Sequence, residues 1–129
     1  MAIFQLIYAS QPFGFDDAML GGILVQARRN NARDGVTGCL IARADLYLQM
    51  LEGEAAAIET LYGKIVADDR HLQAERLWSG TAQTRLFPDW AMRDDPARSW
   101  LWSIDEVADG ALQRASADEL QAVFARIAA

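Results

Sequence analysis

The sequence predicts an α+β fold in which helices cover both faces of one mixed β-sheet. Three observations lead to this prediction. The chain has 129 residues, which is the size of one domain with a substantial core. Apolar residues make up 52% of the chain and charged residues 23%, a balance typical of globular proteins and not of disordered ones. Stretches with strand and helix character follow one another in the order β-α-β-β-α-β.

The first half of the chain supplies a strand, a helix and a hairpin. Residues 2–10 are rich in β-forming residues and apolar on both faces, which predicts an interior strand that is covered on two sides. Residues 16 to about 31 predict a helix whose first turn carries acidic residues that oppose the helix dipole. Residues 36–42 and 46–53 predict two strands joined by a short loop.

The second half adds a helix and two strands. Residues 54 to about 67 predict the helix, and the stretches "AERLWSGTAQTR" (74–85) and "FPDWAMR" (87–93) predict a fourth and a fifth strand. The whole order is that of the ferredoxin-like split βαβ arrangement with one additional strand. We therefore expect a five-stranded mixed sheet with the two long helices on one face.

The C-terminal tail predicts two shorter helices, "WLWSIDEVA" (100–108) and "SADELQAVFARIA" (116–128). Ser116 followed by Glu119 is the pattern of a capping box. If these helices cover the second face of the sheet, the apolar residues on both sides of the first strand are explained.

Composition and charge narrow the classes of function. The net charge of −6 argues against nucleic acid as the main partner, since nucleic-acid binding needs a basic surface. No run of about 18 apolar residues predicts a membrane-spanning helix, and the N-terminus shows no signal-peptide pattern. A single cysteine suits the reducing cytoplasm. We expect a cytoplasmic protein without a membrane anchor.

The sequence contains few of the residues and motifs that catalytic and metal-binding sites use. Cys39 and His71 are the only cysteine and histidine, which falls short of the three or four nitrogen or sulfur ligands of a zinc site. Their spacing does not favour a Cys-His dyad, and neither a Walker loop nor a dinucleotide glycine fingerprint occurs. We therefore expect no metal and no catalytic residues.

Polar residues in apolar surroundings are more informative. Tyr8 lies near the end of the first predicted strand, Gln49 in the middle of the third, and Asn30 and Asn31 at the end of the first helix. If the first and third strands are neighbours, the tyrosine and the glutamine can face the same side. Neutral hydrogen-bonding groups in a dry place suit a planar heterocycle with carbonyls and ring nitrogens.

Each of these residues also has an ordinary structural interpretation. The tyrosine can be a core residue with its hydroxyl at the surface, the glutamine can face solvent or cap a backbone group, and the asparagines can be helix C-cap residues. Trp90 and Met92 stand two apart on the predicted fifth strand and should share a face, where core packing alone would account for them.

Taken together, these residues resemble the BLUF family of blue-light sensors that use flavin. The resemblance covers residues 3 to 93, and order, spacing and residue types agree in five blocks. The blocks are "LIYAS", "ARRNNARDGVTGCL", "LQMLEGE", "LYGKIVADDRH" and "FPDWAM". The ferredoxin-like fold predicted from the residues agrees with the fold of that family.

The resemblance assigns expected roles around the tyrosine. Tyr8 matches the photoactive tyrosine, which donates an electron and a proton to the excited flavin. Gln49 matches the glutamine that bridges tyrosine and flavin. Asn31 matches the asparagine that hydrogen-bonds the pyrimidine edge of the ring, and Asn30 occupies the adjacent, more variable position.

Further roles follow from the same resemblance. Ile23 and Ile65 match the aliphatic pair that sandwiches the ring. Arg70 and His71 match residues near the flavin and its tail, and Trp90 and Met92 match the switching pair on the last strand. Leu48 departs from the family, in which an aromatic residue is frequent before the glutamine.

The function implied is a non-enzymatic blue-light photoreceptor that binds flavin non-covalently, with FAD as the expected form and FMN or riboflavin left open. Rotation or tautomerisation of the glutamine amide would give a reversible red-shifted signalling state. The expected organisation is a photosensor domain over residues 1–95 and a helical extension over residues 96–129. A short, stand-alone member would signal through a separate partner protein or a homo-oligomer interface.

Two alternatives stay open at the level of the sequence. One is a small hydrolase on the same fold, although the stretch "SQPFGFDD" (10–17) is acidic where a phosphate-cradling loop is expected. The other is an interaction module without flavin, against which the intact tyrosine, asparagine and glutamine argue.

Overall fold

The computed structural model describes residues 2–12, 17–68 and 71–129, with the backbone alone for Asp17 and His71. In chain order the elements within these ranges are β1 (Ile3–Pro12), α1 (Asp17–Asp34), β2 (Thr37–Arg43), β3 (Leu46–Gly53), α2 (Ala55–Val66), β4 (His71–Ala82), β5 (Arg93–Pro96), α3 (Ile104–Ala108), α4 (Ala111–Arg114) and α5 (Ala117–Ala128). None of the helices described is long and apolar enough to cross a membrane.

The five strands form one mixed sheet in the order β4-β1-β3-β2-β5. β1 pairs antiparallel with both β3 and β4, and β2 pairs antiparallel with β3 but parallel with β5. The predicted α+β fold with a ferredoxin-like element order is confirmed. β1 is an interior strand, as its two apolar faces predict.

Side chains alternate between the two faces of the sheet and build two cores. On one face Tyr8 and Leu51 pack with Ile58 of α2 and with residues of α1. On the other face Met50 packs with Phe124 of α5 and other residues of the C-terminal helices. The sheet is therefore covered on both sides, with the site described below on the α1/α2 face.

The C-terminal tail differs in detail from its prediction. It forms three short helices instead of two, and residues 100–103 lie outside them. α3 begins after Ser103 because the Ser103 side chain and that of Glu106 form a capping box. The capping box predicted for Ser116 and Glu119 at the start of α5 is confirmed.

The prediction of a strand over residues 87–93 is wrong, because β5 begins only at Arg93. The preceding residues form turns and bends. The backbone N–H groups of Leu86 and Phe87 donate to the buried carboxylate of Glu52 and not to a neighbouring strand. The residues from 83 to 92, which we call the β4–β5 segment, are therefore a loop held by side chains.

Gly38 shows where the sheet tolerates no side chain. A Cβ atom at this position would lie 2.1 Å from the Met50 carbonyl oxygen, which belongs to the paired strand. We expect Gly38→Ala to lower the free energy of unfolding by about 3 kcal/mol, the upper part of the range for overpacking. Urea denaturation measures it. Gly63→Ala is the control, since beyond its own helix backbone and chain neighbours no atom of the described residues lies within 4 Å of the added Cβ, and helix α2 should gain about 1 kcal/mol. Equal stabilities of the two variants would contradict this.

Candidate functional site

A cleft between α1 and α2 opens above the sheet. Residues of β1 and β3 form its floor and residues of the two helices form its walls; Tyr8, Gln49, Ile23, Asn30, Asn31 and Ile65 are among them. It encloses about 550 Å³ of empty space, its open mouth included. Mostly apolar walls with a few polar groups are typical of a small-molecule site.

Tyr8, Gln49 and Met92 form a chain of hydrogen bonds in the floor of the cleft. Tyr8 stands directly opposite Gln49 in the antiparallel β1–β3 register, so the two side chains lie on the same face. The Tyr8 hydroxyl donates to Gln49 Oε1. Gln49 Nε2 donates in turn to Met92 Sδ over 3.1 Å. The amide thus has its acceptor end towards the phenol and its donor end towards a thioether.

Tyr8 is fully buried, and burial raises the pKa of its phenol well above the usual value of about 10. The neighbouring Tyr62, whose ring centroid lies 5.5 Å from that of Tyr8, and Asp68 raise this pKa further. The phenol therefore stays neutral in the folded protein, with a proton on the oxygen that faces Gln49.

Asn31, near the end of α1, has a partner for one of its two amide atoms within the part of the chain that the structure describes. Its Nδ2 donates to the carbonyl of Ala91 over 2.9 Å, while its buried Oδ1 accepts no hydrogen bond from the described residues. A buried acceptor without a donor costs about 1–3 kcal/mol. Because Asn31 lines the cleft, an N–H group of a bound ligand would supply the missing donor.

Apart from Trp90 and Met92, the remaining predicted site residues fall into two groups. Ile23 from α1 and Ile65 from α2 line the cleft, and Asn30 lines it beside Asn31. Arg70 lies outside the described residues, and the side chain of His71 is likewise not described.

Trp90 and Met92 do not share a face, which corrects the prediction made for them. Met92 is buried against Gln49, whereas Trp90 is 47% exposed, with the Arg93 guanidinium 5.8 Å from its ring. The physical reason is that both precede β5, in a loop where side chains do not alternate as on a strand. Met92 is the member of the pair that the structure brings to the site.

Lys64 and Asp68 line the cleft as well and were missed by the sequence analysis. Lys64 is three residues after Leu61, which also lines the cleft, and helical spacing from Leu61 could have found it, since residues three or four apart share a helix face. Asp68 follows the end of α2, so helical spacing gives no signal for it. The two residues place one cation and one anion in the walls of an otherwise mostly neutral cleft.

Comparison with known proteins identifies this arrangement. Residues 3–93 match the sequence model of the family described as "BLUF: Sensors of blue-light using FAD". The chain belongs to the BLUF family. This family consists of blue-light flavin sensors, and the ferredoxin-like sheet is the fold of its solved members.

Relatives of the BLUF chain include parts of much larger proteins. It is 34% identical over 74 residues to photoactivated adenylate cyclase subunit beta of Euglena gracilis, covering 57% of this chain and 9% of that protein. It is 32% identical over 68 residues to photoactivated adenylate cyclase subunit alpha-like protein FB of the same organism, covering 53% and 7%. The chain thus spans less than a tenth of the length of these two relatives.

Two solved structures are similar over more of the chain. BlrB, a BLUF protein in its dark state, superposes with a TM-score of 0.80 at 26% identity, covering 98% of this chain and 96% of BlrB. A bacterial light-regulated adenylyl cyclase has a TM-score of 0.71 at 31% identity, covering 86% of this chain and 33% of the cyclase. The likeness to BlrB thus extends over the C-terminal helices.

The residues of the cleft fit a flavin ring. The ring is flat and apolar on its faces, which suits the aliphatic side chains of Ile23 and Ile65. Its pyrimidine edge carries an N–H donor between carbonyl acceptors, and Asn31 Oδ1 is a buried acceptor to which no residue in the described ranges donates. The chemistry of the donor set therefore agrees with the cofactor that the family uses.

Proposed function

We propose that this protein is a blue-light photoreceptor that binds FAD non-covalently in the cleft between α1 and α2 and signals by rearranging Gln49. The observation that carries the proposal is the chain of hydrogen bonds from Tyr8 through Gln49 to Met92 in the floor of that cleft. It joins a redox-capable phenol to an amide that can change partners.

The cofactor is proposed to be held by residues on both helices. Ile23 and Ile65 would pack on the ring, and Asn31 Oδ1 would accept from its pyrimidine N–H. Lys64 lines the cleft, and Arg29 lines an adjoining groove on α1, and both cations suit a phosphate-bearing flavin. The same ring contacts would accept FMN or riboflavin, and FAD is the form that the description of the family names. Arg70 and His71 keep their expected place near the cofactor as a prediction.

A bound flavin supplies absorption of blue light and, once excited, a strong oxidant. The residues of the protein supply the electron, the proton and the hydrogen bonds that change. Tyr8 gives up an electron, and its hydroxyl proton then becomes strongly acidic with Gln49 Oε1 as the acceptor in reach. Gln49, once protonated on Oε1, would pass an Nε2 proton to the flavin that took the electron, or would rotate, and in either case its hydrogen bond to Met92 Sδ would be lost. The switch is a local exchange of hydrogen bonds that reverses in darkness.

The output is proposed to pass to a separate signalling protein or to a second copy of the chain. The proposal keeps a photosensor domain over residues 1–95 and a helical extension over residues 96–129. It assigns the chain no turnover chemistry of its own and a cytoplasmic location, and the single cysteine, which is free and buried, supports the location. Trp90, exposed beside the site, is a residue that such a partner can contact.

One measurement tests the proposal directly. Absorption spectra of the purified, flavin-loaded protein are recorded in darkness, after blue light and after return to darkness, and the extracted cofactor is identified by chromatography and mass. We expect flavin bands that move to longer wavelength in light and recover in darkness. Flavin-saturated protein with an unchanged spectrum after illumination would remove the photoreceptor function.

Asn31→Ala is expected to weaken flavin binding about tenfold. The change removes the buried acceptor for the ring N–H, and one hydrogen bond of this kind is worth about 1.4 kcal/mol, which is tenfold in affinity. Titration of the apoprotein with FAD, followed by flavin fluorescence, measures it. Asn30→Ala is the control, because Asn30 lines the same cleft without being buried, and its loss should be smaller. A larger loss in the Asn30 variant would contradict the assignment.

A further inference from the structure

The β4–β5 segment is attached to the photoactive site at its C-terminal end. Met92 Sδ accepts from Gln49, the Met92 carbonyl accepts from Arg28 Nε over 3.1 Å, and the Ala91 carbonyl accepts from Asn31 over 2.9 Å. Two residues that line the cleft, Gln49 and Asn31, thus contact the last two residues of this segment. Any rearrangement of Gln49 acts on this end of the segment.

Glu52 holds the other end. Its side chain is fully buried, and both carboxylate oxygens accept hydrogen bonds from the segment: Oε2 from the backbone N–H of Leu86 over 2.7 Å and Oε1 from that of Phe87 over 2.9 Å. Gln5 Nε2 also donates to Oε2 over 2.9 Å, and Thr37 donates to Oε1 over 3.4 Å. One carboxylate therefore ties three neighbouring strands to the loop.

Arg85 reinforces this attachment. Its guanidinium donates to Thr37 Oγ1 over 2.9 Å, to the backbone carbonyl of Glu52 over 3.1 Å and to that of Gly35 over 2.9 Å. A buried carboxylate is expensive unless it is hydrogen-bonded and compensated by charge. Backbone N–H donors on both oxygens, with a guanidinium next to them, provide that compensation.

Gln49 and Glu52 belong to the same strand and point to opposite faces of the sheet. They are three residues apart on β3, and side chains on a strand alternate between its faces. Gln49 faces the cleft, whereas Glu52 faces the side that the C-terminal helices cover. β3 is thus connected to the segment on both faces of the sheet, through Gln49 on the cleft side and through Glu52 on the other side.

Phe87 connects the segment to the C-terminal helices. Its ring packs edge to face with that of Phe124 on α5, with 6.5 Å between centroids and both side chains buried. Edge-to-face aromatic pairs contribute about 0.5–1.5 kcal/mol beyond the area they bury. Since the Phe87 N–H is the atom that Glu52 holds, the position of this ring depends on that carboxylate.

We propose that Glu52 is the positioning residue that fastens the β4–β5 segment and so couples a displacement of Met92 to helix α5 through Phe87 and Phe124. The light-driven part of this inference rests on the proposed function above. The dark-state part, that Glu52 fixes both the segment and the docking of α5, stands on the hydrogen bonds of Glu52 and the ring contact between Phe87 and Phe124.

Amide hydrogen exchange of the flavin-loaded full chain in darkness tests the dark-state part. In Glu52→Gln one carboxylate oxygen becomes an NH₂ donor, so one of the two backbone N–H groups loses its acceptor. We expect exchange in residues 83–92 and 117–128 to rise at least about tenfold, with β1 unchanged. Glu54→Gln is the matched control, since Glu54 is exposed at the start of α2 and its side chain makes no capping bond. Exchange in both regions equal to wild type in Glu52→Gln would overturn the proposal.

Phe124→Leu keeps the proposal testable if Glu52→Gln does not fold. It leaves the carboxylate intact and removes the aromatic contact from the α5 side. Exchange in residues 83–92 should then rise several-fold, because the segment loses its contact with the helix. An unchanged segment would show that α5 and the β4–β5 segment are independent, and would overturn the coupling.

The light-driven part is read from the same samples under blue light. We expect Glu52→Gln to keep the red shift, while the light-minus-dark difference in exchange over residues 117–128 falls several-fold relative to wild type. A difference of wild-type size overturns the coupling, and so does loss of the red shift, which would place Glu52 in the photochemistry instead. Wild-type protein without any red shift would refute the proposed function, and the dark-state comparison would still decide the role of Glu52.

Discussion

Replacing Gln49 with leucine will abolish the light-induced red shift and leave flavin bound. The variant removes both the acceptor of the Tyr8 proton and the donor to Met92 Sδ, while the apolar side chain keeps the floor of the cleft filled. Without an amide nothing in the floor can exchange hydrogen-bond partners, so the spectra in darkness and in light should coincide. Difference spectroscopy of the flavin-loaded variant measures it.

The control for this change is Gln121→Leu, which makes the same substitution on α5, where the Gln121 amide bonds only to the backbone of its own helix among the contacts described. It should keep the full red shift. A Gln49→Leu protein with a normal, reversible shift would refute the amide switch, even if the protein proved to be a photoreceptor by some other route.

Replacing Tyr8 with phenylalanine will remove the photocycle and raise flavin fluorescence. Phenylalanine keeps the ring but is a poorer electron donor and has no proton to give, so the excited flavin loses its partner for quenching. Steady-state fluorescence and the light-minus-dark spectrum measure this. The variant also leaves Gln49 Oε1 without its donor, for which we expect a loss of about 1–3 kcal/mol in the free energy of unfolding.

Tyr62→Phe is the matched control for Tyr8→Phe. Its ring centroid lies 5.5 Å from that of Tyr8, and the change removes a hydroxyl that has no hydrogen bond to Gln49 among the bonds described. This variant should keep the red shift and low flavin fluorescence. If Tyr62→Phe lost the shift and Tyr8→Phe kept it, the electron donor would be Tyr62, and the role given to Tyr8 would be wrong.

Much of the fold was predictable because its signals are local. The apolar character of β1 on both faces predicts an interior strand, and the order of elements then leaves few ways to arrange the sheet. The pairing of Tyr8 with Gln49 is in reach of such reasoning, since neighbouring antiparallel strands bring facing residues together. Asn31 and the two isoleucines needed the resemblance to a family, because their residue types alone also suit a helix end and a core.

The β4–β5 segment was not predictable because its structure depends on distant partners. The stretch "FPDWAMR" (87–93) has the residue types of a strand, yet its early N–H groups are taken by Glu52, which lies more than thirty positions earlier in the chain. No local sequence pattern indicates that a glutamate is buried and accepts hydrogen bonds from the backbone of a loop. The separation of Trp90 from Met92 follows from this loop, so the error about the strand and the error about the pair have one cause.

Cys39 gives the protein a practical property. It is the single cysteine of the chain, it is fully buried in β2, and burial raises its pKa to about 12. The thiolate is the form that alkylating reagents attack, and at neutral pH the folded protein holds almost none of it. Cys39 therefore does not have to be replaced before a second cysteine is introduced on the exposed surface of α5. A fluorophore or a spin label attached to that second cysteine will report from one defined position.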